Sequence, residues 1–190
     1  ISQVRASEEA VYWLATIAAE DGRTTVRRLV GGEVADLTPD AAVRSRAMEY
    51  GGGAYAVDRM SIAYCDDRSR RVWLLDGGAA RPISPADSPY VYGGLVLSLS
   101  DGVVVAIRED HSAVPEARTE IVALDLDGDN VDGGRVLATG ADFYASVTLR
   151  DGRVAWQQWN HPNMSWDTSS VWVATLTDPS DAAPVTSAEG

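Results

Sequence analysis

Lysine is absent from this 190-residue chain, and all 16 of its basic residues are arginine, set against 28 acidic ones for a formal net charge of −12. Affinity for a nucleic-acid backbone comes from Lys and Arg neutralising phosphates, so a charge of this sign argues against a DNA or RNA partner. Anionic membrane surfaces are disfavoured on the same ground. The single cysteine, Cys65, excludes an intramolecular disulfide and any cysteine-cluster zinc site, and is compatible with a reducing compartment. No apolar run approaches the roughly 20 residues of a membrane-spanning helix. The first nine residues hold no basic stretch followed by an apolar one. The expectation is a soluble, cytoplasmic chain without a targeting segment. Histidine occurs twice and phenylalanine once.

With 45% hydrophobic and 23% charged residues, the chain has enough apolar side chain to bury a core. Those residues come in runs of four to eight, rich in Val, Ile, Tyr and Trp, and separated by Gly, Asp and Pro clusters. No helical period is sustained anywhere, so the pattern predicts an all-β chain. The expected strands cover 11–18, 24–30, 54–57, 61–65, 71–75, 92–99, 103–108, 120–126, 144–149, 153–159 and 170–176.

The runs also repeat. Aligning TTVRRLVGG, RRVWLLDGG, TEIVALDLDG and SSVWVATLTD places Val26, Val72, Ile121 and Val171 at one point of a period of roughly 45–50 residues, the size of a four-stranded propeller blade. Each anchor follows another strand (VYWLATIA, SIAYC, GVVVAIRED, RVAWQQWN) and precedes a turn with a short run such as ARPIS or RVLAT. That order fits strands A to D of a blade, with hairpin signals at Asp21-Gly22, Asp101-Gly102 and Asp151-Gly152. A sandwich or barrel shares the strand spacing, but the recurrence of matched turns favours a β-propeller of about four four-stranded antiparallel blades. The expected blades are 1–45, 46–88, 89–140 and 141–190.

In such a blade the B–C loops and the D–A connections emerge on one face. There the third and fourth units carry the long loops EDHSAVPEAR (109–118) and NHPNMSWDTS (160–169), and the first D–A connection carries Glu49, Tyr50 and the glycines 51–53. Long loops holding His, Trp and carboxylates on one face suggest a working surface. The candidates for contact with substrate or a neighbouring domain are Glu49, Tyr50, Glu109, Asp110, His111, His161, Asn163, Trp166 and Asp167. Glu49, Glu109 and Asp110 could supply the counter-charge to a free α-ammonium group, though as solvated surface acids they would need no such role.

Three other constellations fail on chemistry. No serine sits on a strained elbow beside His111 or His161, so no catalytic residue is assigned. The run DLDGDNVDGG (125–134) spaces Asp125, Asp127 and Asp129 like calcium ligands, but has Asn130 and Val136 where the loop needs Gly and an acid. Neither a metal nor a cofactor is expected. The glycine run lacks both the strand-to-helix context and the lysine of a phosphate loop, and is better read as allowing an inner strand to start near a crowded axis. Trp73 and Trp172 align in the repeat as blade-to-blade packing, and Trp159 and Trp166 flank the HPNM loop.

The stretch RVAWQQWNHPNMSWDTSSVWVATL (153–176), the run EYGGGAY (49–55) and the run REDH (108–111) followed by TEIVALDL together resemble the prolyl oligopeptidase family of serine peptidases, in its dipeptidyl aminopeptidase and acylaminoacyl peptidase branch. Ser165 stands where that family usually has proline. The resemblance implies an N-terminal propeller of seven or eight blades joined to a C-terminal α/β-hydrolase domain with a Ser, Asp, His triad. This chain holds no G-x-S-x-G elbow and no alternating helix and strand pattern, so the catalytic domain and the remaining blades are expected outside it. The expected role is non-catalytic: gating access and positioning a peptide substrate in a bacterial serine peptidase, with amino-, dipeptidyl- and acylaminoacyl-peptidase all open. The alternative is a stand-alone propeller scaffold that binds a protein partner. Exposed faces of the end blades could also pair two copies of the chain.

Overall fold

The computed structural model describes residues 1–47 and 52–185. Sixteen strands and a single 3-10 turn (Ala18–Glu20) make up its secondary structure, and no helix among the described residues is long and apolar enough to cross a membrane. The strands form four antiparallel sheets of four, each running in chain order. The first blade contains β1 (Ser2–Ala6), β2 (Val11–Ile17), β3 (Arg23–Val30) and β4 (Glu33–Asp36). The second contains β5 (Tyr55–Asp58), β6 (Ser61–Asp66), β7 (Arg71–Leu75) and β8 (Arg81–Pro82). The third contains β9 (Tyr90–Ser98), β10 (Val103–Asp110), β11 (Arg118–Asp125) and β12 (Arg135–Ala138). The fourth contains β13 (Phe143–Arg150), β14 (Arg153–Trp159), β15 (Ser170–Thr175) and β16 (Asp178–Pro184). The fold is a β-propeller arrangement of four blades.

The repeat anchors are structural equivalents. The carbonyls of Val26, Val72 and Val171 each accept a hydrogen bond from the backbone N–H of Leu37, Ile83 or Val185, just beyond the outermost strand of the blade. Because side chains alternate across a strand, each blade offers one set to either neighbour, and the core forms as three layers between blades. Tyr12, Leu14 and Val26 meet Tyr55, Ile62 and Tyr64 in the first layer. In the second, Val72 and Leu74 meet Leu95, Val104 and Leu124. In the third, Val105, Ile121 and Ala123 meet Tyr144, Val154 and Trp156. Trp73 packs at the edge of the first layer and Trp172 at the edge of the third, the blade-to-blade role read from the repeat. Strand β10 is buried from Val103 to Glu109, which is why its sequence VVVAIRE shows no alternation: both of its faces are covered.

β1, β4 and β16 have no counterpart among the expected strands. Their sequences SQVRA, EVAD and DPSDAAP are mostly exposed, since these strands lie at blade edges and bury little on either face. At the inner edges of the second and third blades the backbones crowd together. The N–H groups of Gly94 and Leu95 in β9 donate to the carbonyls of Gly52 and Gly53 ahead of β5, at 3.1 and 3.0 Å. Arg5, Gly53, Gly94 and Ser146, from all four blades, border a common central cavity of about 370 Å³.

The 125–134 loop joins β11 to β12 on the face away from the long loops. Its interior is occupied by the Asn130 side chain, which accepts from the Asp125 N–H and donates to the carbonyls of Ile83 and Asp125.

Candidate functional site

The two long loops rise from adjacent blades, one after β10 and the other after β14, and the 139–142 connection passes between them. Together they enclose a cleft of about 770 Å³ whose walls include Glu109, Arg118, Phe143, Trp159 and Met164. Both histidines of the chain, His111 and His161, face it.

On the third-blade side, β10 ends with Glu109 opposite Thr119 and Asp110 opposite Arg118. Pairing inside the sheet leaves the Glu109 side chain only 10% exposed, with an oxygen 3.1 Å from Nε2 of His111. Asp110 serves the loop itself. Its Oδ1 accepts from the Ser112 N–H at 2.9 Å and hydroxyl at 2.6 Å, a short-range turn of the kind acidic side chains favour. The Ser112 hydroxyl, then the Ser112 N–H and the fields of Arg118 and Arg108, hold this carboxylate below its ordinary range against the opposing effect of partial burial.

On the fourth-blade side, Phe143 opens β13 directly opposite Trp159, which closes β14. Their rings stack with centroids 5.4 Å apart and planes 19° from parallel, and the His161 ring stands edge-on to Phe143 at 4.8 Å. Two reciprocal hydrogen bonds tie the 139–142 connection to the loop. Asp142 N–H donates to Asn160 Oδ1 at 2.8 Å, and His161 N–H donates to Asp142 Oδ2 at 2.9 Å. Further along, Asp167 Oδ2 accepts the Met164 N–H at 2.9 Å, and Asp167 N–H returns a bond to the Met164 carbonyl at 3.0 Å. This pinning holds the loop where Ser165 replaces the proline of the resembled motif.

Of the residues singled out from sequence, Glu109, His111 and His161 converge on the cleft. Asp110, Asn163 and Asp167 shape the loops: Asn163 donates its N–H to the Asn160 carbonyl, and the two aspartates close turns. Trp166 projects from the fourth-blade loop at 76% exposure. Glu49 and Tyr50 lie outside the described residues. Phe143, Glu116, Arg118, Asp142 and Met164 join the cleft without having been singled out. The one available signal was for Phe143, the only phenylalanine of the chain, beginning a strand whose hairpin partner ends in tryptophan. The lining carries three carboxylates, Glu109, Glu116 and Asp142, against one arginine, Arg118, so the cleft is acidic along one wall and aromatic along another. Such a surface can hold a cation and stack a planar or apolar group.

No protein-family model and no curated protein matches the chain. Among solved structures it is similar to a puromycin-hydrolyzing peptidase of Mycobacterium tuberculosis, at 34% identity and a TM-score of 0.81, over 96% of this chain and 30% of that one. It is also similar to a puromycin hydrolase, at 25% identity and a TM-score of 0.82, over 95% of this chain and 31% of that one. A mutant puromycin hydrolase complexed with PGG, 24% identical with a TM-score of 0.81, shares the fold over 95% of this chain and 31% of its own. The chain therefore spans less than a third of the length of these proteins.

Proposed function

The chain is a propeller segment of the prolyl oligopeptidase family, and from that premise we propose that it forms the non-catalytic part of a serine-type peptidase, with further blades and an α/β-hydrolase domain in the same protein. The cleft between the third and fourth blades faces that domain. It restricts access to small peptides and positions them, a contribution through orientation and not through bond-breaking. The protein is cytoplasmic on this reading.

The convergence of Glu109, His111, Phe143, Trp159 and His161 on one cleft carries the proposal. Glu109, held at the end of β10, supplies the counter-charge for the free α-ammonium group of a peptide, and the histidine beside it fixes the carboxylate's orientation. Hydrolysis of chromogenic aminoacyl and peptidyl substrates by the full-length protein, with none by the 190-residue chain alone, is the expected pattern. In full-length Glu109→Gln, kcat/KM for substrates with a free amino terminus should fall by about 10- to 100-fold, the loss of one charge-assisted hydrogen bond. Acetylated substrates should be little changed. An unaltered preference for free over blocked amino termini rules out this role for Glu109.

Trp166, at 76% exposure, favours a second reading, a stand-alone scaffold whose loop face binds a protein. A reading frame that continues into more blades and a G-x-S-x-G motif on a strand-to-helix turn decides for the peptidase; one that stops soon after residue 190 decides for the scaffold.

A further inference from the structure

We propose that Arg44, Arg46 and Arg70 form an oxyanion-binding site at the junction of the second and third blades, for a small molecule that ends in a carboxylate or a phosphate. The site lies outside the cleft between the third and fourth blades and does not depend on the peptidase reading.

Two short segments bring these arginines together in a chain where acids outnumber bases by 28 to 16. Ahead of the second blade, an antiparallel bridge between Val43 and Asp66 lays the 42–46 segment along the end of β6. The Arg44 N–H donates to the Cys65 carbonyl at 3.0 Å, and the Asp67 N–H to the Ala42 carbonyl at 2.8 Å. Extended backbone alternates its side chains, so Val43, Ser45 and Ala47 are buried while Arg44 and Arg46 are exposed. The turn after β6 supplies Arg68 and Arg70, also exposed. Asp66 pins that turn. Its carboxylate accepts from the Ala42 N–H at 3.0 Å, the Ser69 N–H at 3.0 Å and the Ser69 hydroxyl at 2.7 Å. Arg68 is turned aside, donating to the Asp40 carbonyl at 3.0 Å.

Arg44, Arg46 and Arg70 wall a notch of about 20 Å³ that has the buried Cys65 and Tyr92 at its base. A space of that size takes about one water-sized group, so a single oxygen of the ligand enters and the rest stays outside among the guanidiniums. The Tyr92 carbonyl accepts from the Ser45 hydroxyl at 2.8 Å and the Cys65 thiol at 3.3 Å, so its acceptor capacity is already used. Arg46 is paired with Asp67 through two bonds, Nη2 to Oδ2 measuring 2.8 Å. That bond first, and then the fields of Arg46, Arg44 and Arg70, hold the Asp67 carboxyl below its ordinary range against partial burial. Among the described residues, neither Arg44 nor Arg70 makes an ion pair or a side-chain hydrogen bond of its own. Guanidiniums held side by side repel one another, and an oxyanion placed among them relieves that repulsion. Their planar N–H forks match the oxygens of a carboxylate or phosphate.

The test titrates inorganic phosphate and N-acetylalanine separately into the full-length protein by calorimetry, in a phosphate-free buffer of low ionic strength. The wild type should bind at a single site, with an affinity that falls as sodium chloride is added. Arg44→Gln and Arg70→Gln should each weaken binding by about 10-fold or more, and the double variant should abolish it. Both side chains are exposed, so the thermal midpoints of the unliganded variants should stay near that of the wild type. Arg44→Lys/Arg70→Lys guards against a folding defect: it keeps the charge, loses the planar forks and should bind several-fold more weakly than the wild type. Arg150→Gln, which removes an arginine 90% exposed on another blade, should bind like the wild type. The two sources of the anion separate on affinity. Tighter binding of N-acetylalanine, with none of N-acetylalaninamide, assigns the site to the terminal carboxylate of a peptide; tighter binding of phosphate assigns it to a free phosphate group. Failure of the wild type to bind either anion overturns the site, as does binding that is unchanged in Arg44→Gln/Arg70→Gln. An equal loss in Arg150→Gln overturns it too, because the response is then to net charge alone.

Discussion

A Cβ atom placed on Gly53 would lie 2.6 Å from the Cα of Gly94 and 2.8 Å from its nitrogen, a separation that real Cβ atoms do not reach. Two inner strands of neighbouring blades touch backbone to backbone there, and Gly53 also holds a positive φ of 54°. Gly53→Ala should therefore cost strain plus overpacking, about 2–5 kcal/mol together. Gly102, whose φ is 68°, has nothing within 4 Å of where its Cβ would go. Gly102→Ala should cost only about 1 kcal/mol for its backbone conformation. Urea unfolding of both variants measures the difference, and equal midpoints would contradict the close approach.

Arg108 and Glu120 face each other across β10 and β11 with side chains only 6% and 5% exposed. The guanidinium also donates to the Asp132 carbonyl at 2.7 Å and sits 4.5 Å above the Tyr90 ring. Removing one member of a buried pair leaves the other charge without compensation, so Arg108→Met should destabilise by about 3–5 kcal/mol. The double variant Arg108→Met/Glu120→Leu should recover much of that loss, because neither charge remains to be desolvated. A double variant no more stable than the single one shows that the Asp132 and Tyr90 contacts, and not the ion pair, carry the effect.

The blade repeat was legible because Val26, Val72 and Val171 each anchor the same backbone bond in their blades, so selection for packing at those positions leaves a periodic trace. The fold class and the blade count followed from it, whereas the family was legible from the resemblance carried by the 153–176 stretch and the runs at 49–55 and 108–111. Edge strands leave no comparable trace: SQVRA in β1 and DPSDAAP in β16 are held by backbone pairing and bury few side chains. At the site, Glu109, His111 and His161 were visible as reactive residue types on long loops. Asp110 and Asp167 looked equivalent to them in sequence, but their side chains are spent on bonds to Ser112 and Met164, two and three residues away. Met164 left no signal of its own, because its place in the cleft depends on the loop after β14 folding back over the strand ends.

Cys65 lies buried, and its thiol donates to the Tyr92 carbonyl at 3.3 Å. Burial first, and then the neighbouring Asp66 carboxylate, push the thiol from its ordinary value of 9.0 up to about 12. Burial pushes the phenols of Tyr55 and Tyr64 from 10.0 up to about 12 as well. These groups stay neutral in the folded state longer than in the unfolded one. Their contribution is therefore complete below pH 9 and is lost as the pH climbs towards 12. The urea midpoint should hold steady from pH 7 to 8.5 and fall between pH 9 and 11, with a shallower fall in Cys65→Ala. A thiol reagent should leave Cys65 unlabelled at pH 8 until denaturant is added. Rapid labelling of the native protein at that pH would contradict the burial.

Val11, Leu29 and Val34 form one cross-strand row on the outer face of the first blade, with exposures of 39%, 36% and 54%. The fourth blade presents Val171 at 48% on its own outer side. In each layer between blades the corresponding rows are covered by a neighbouring sheet, so the end rows are surfaces shaped for a sheet and left without one among the described residues. A 190-residue chain produced alone should cover them by pairing with a second copy, giving a mass by light scattering that rises with concentration. Val11→Glu/Val34→Glu should return it to a monomer, because two carboxylates in the row would have to be desolvated for pairing to occur. If further blades close the ring, as proposed above, the same double substitution in the full-length protein should lower the thermal midpoint instead, because an adjoining blade would then cover the row. A wild-type chain whose mass stays monomeric across a hundredfold concentration range would show that these rows tolerate water without a partner.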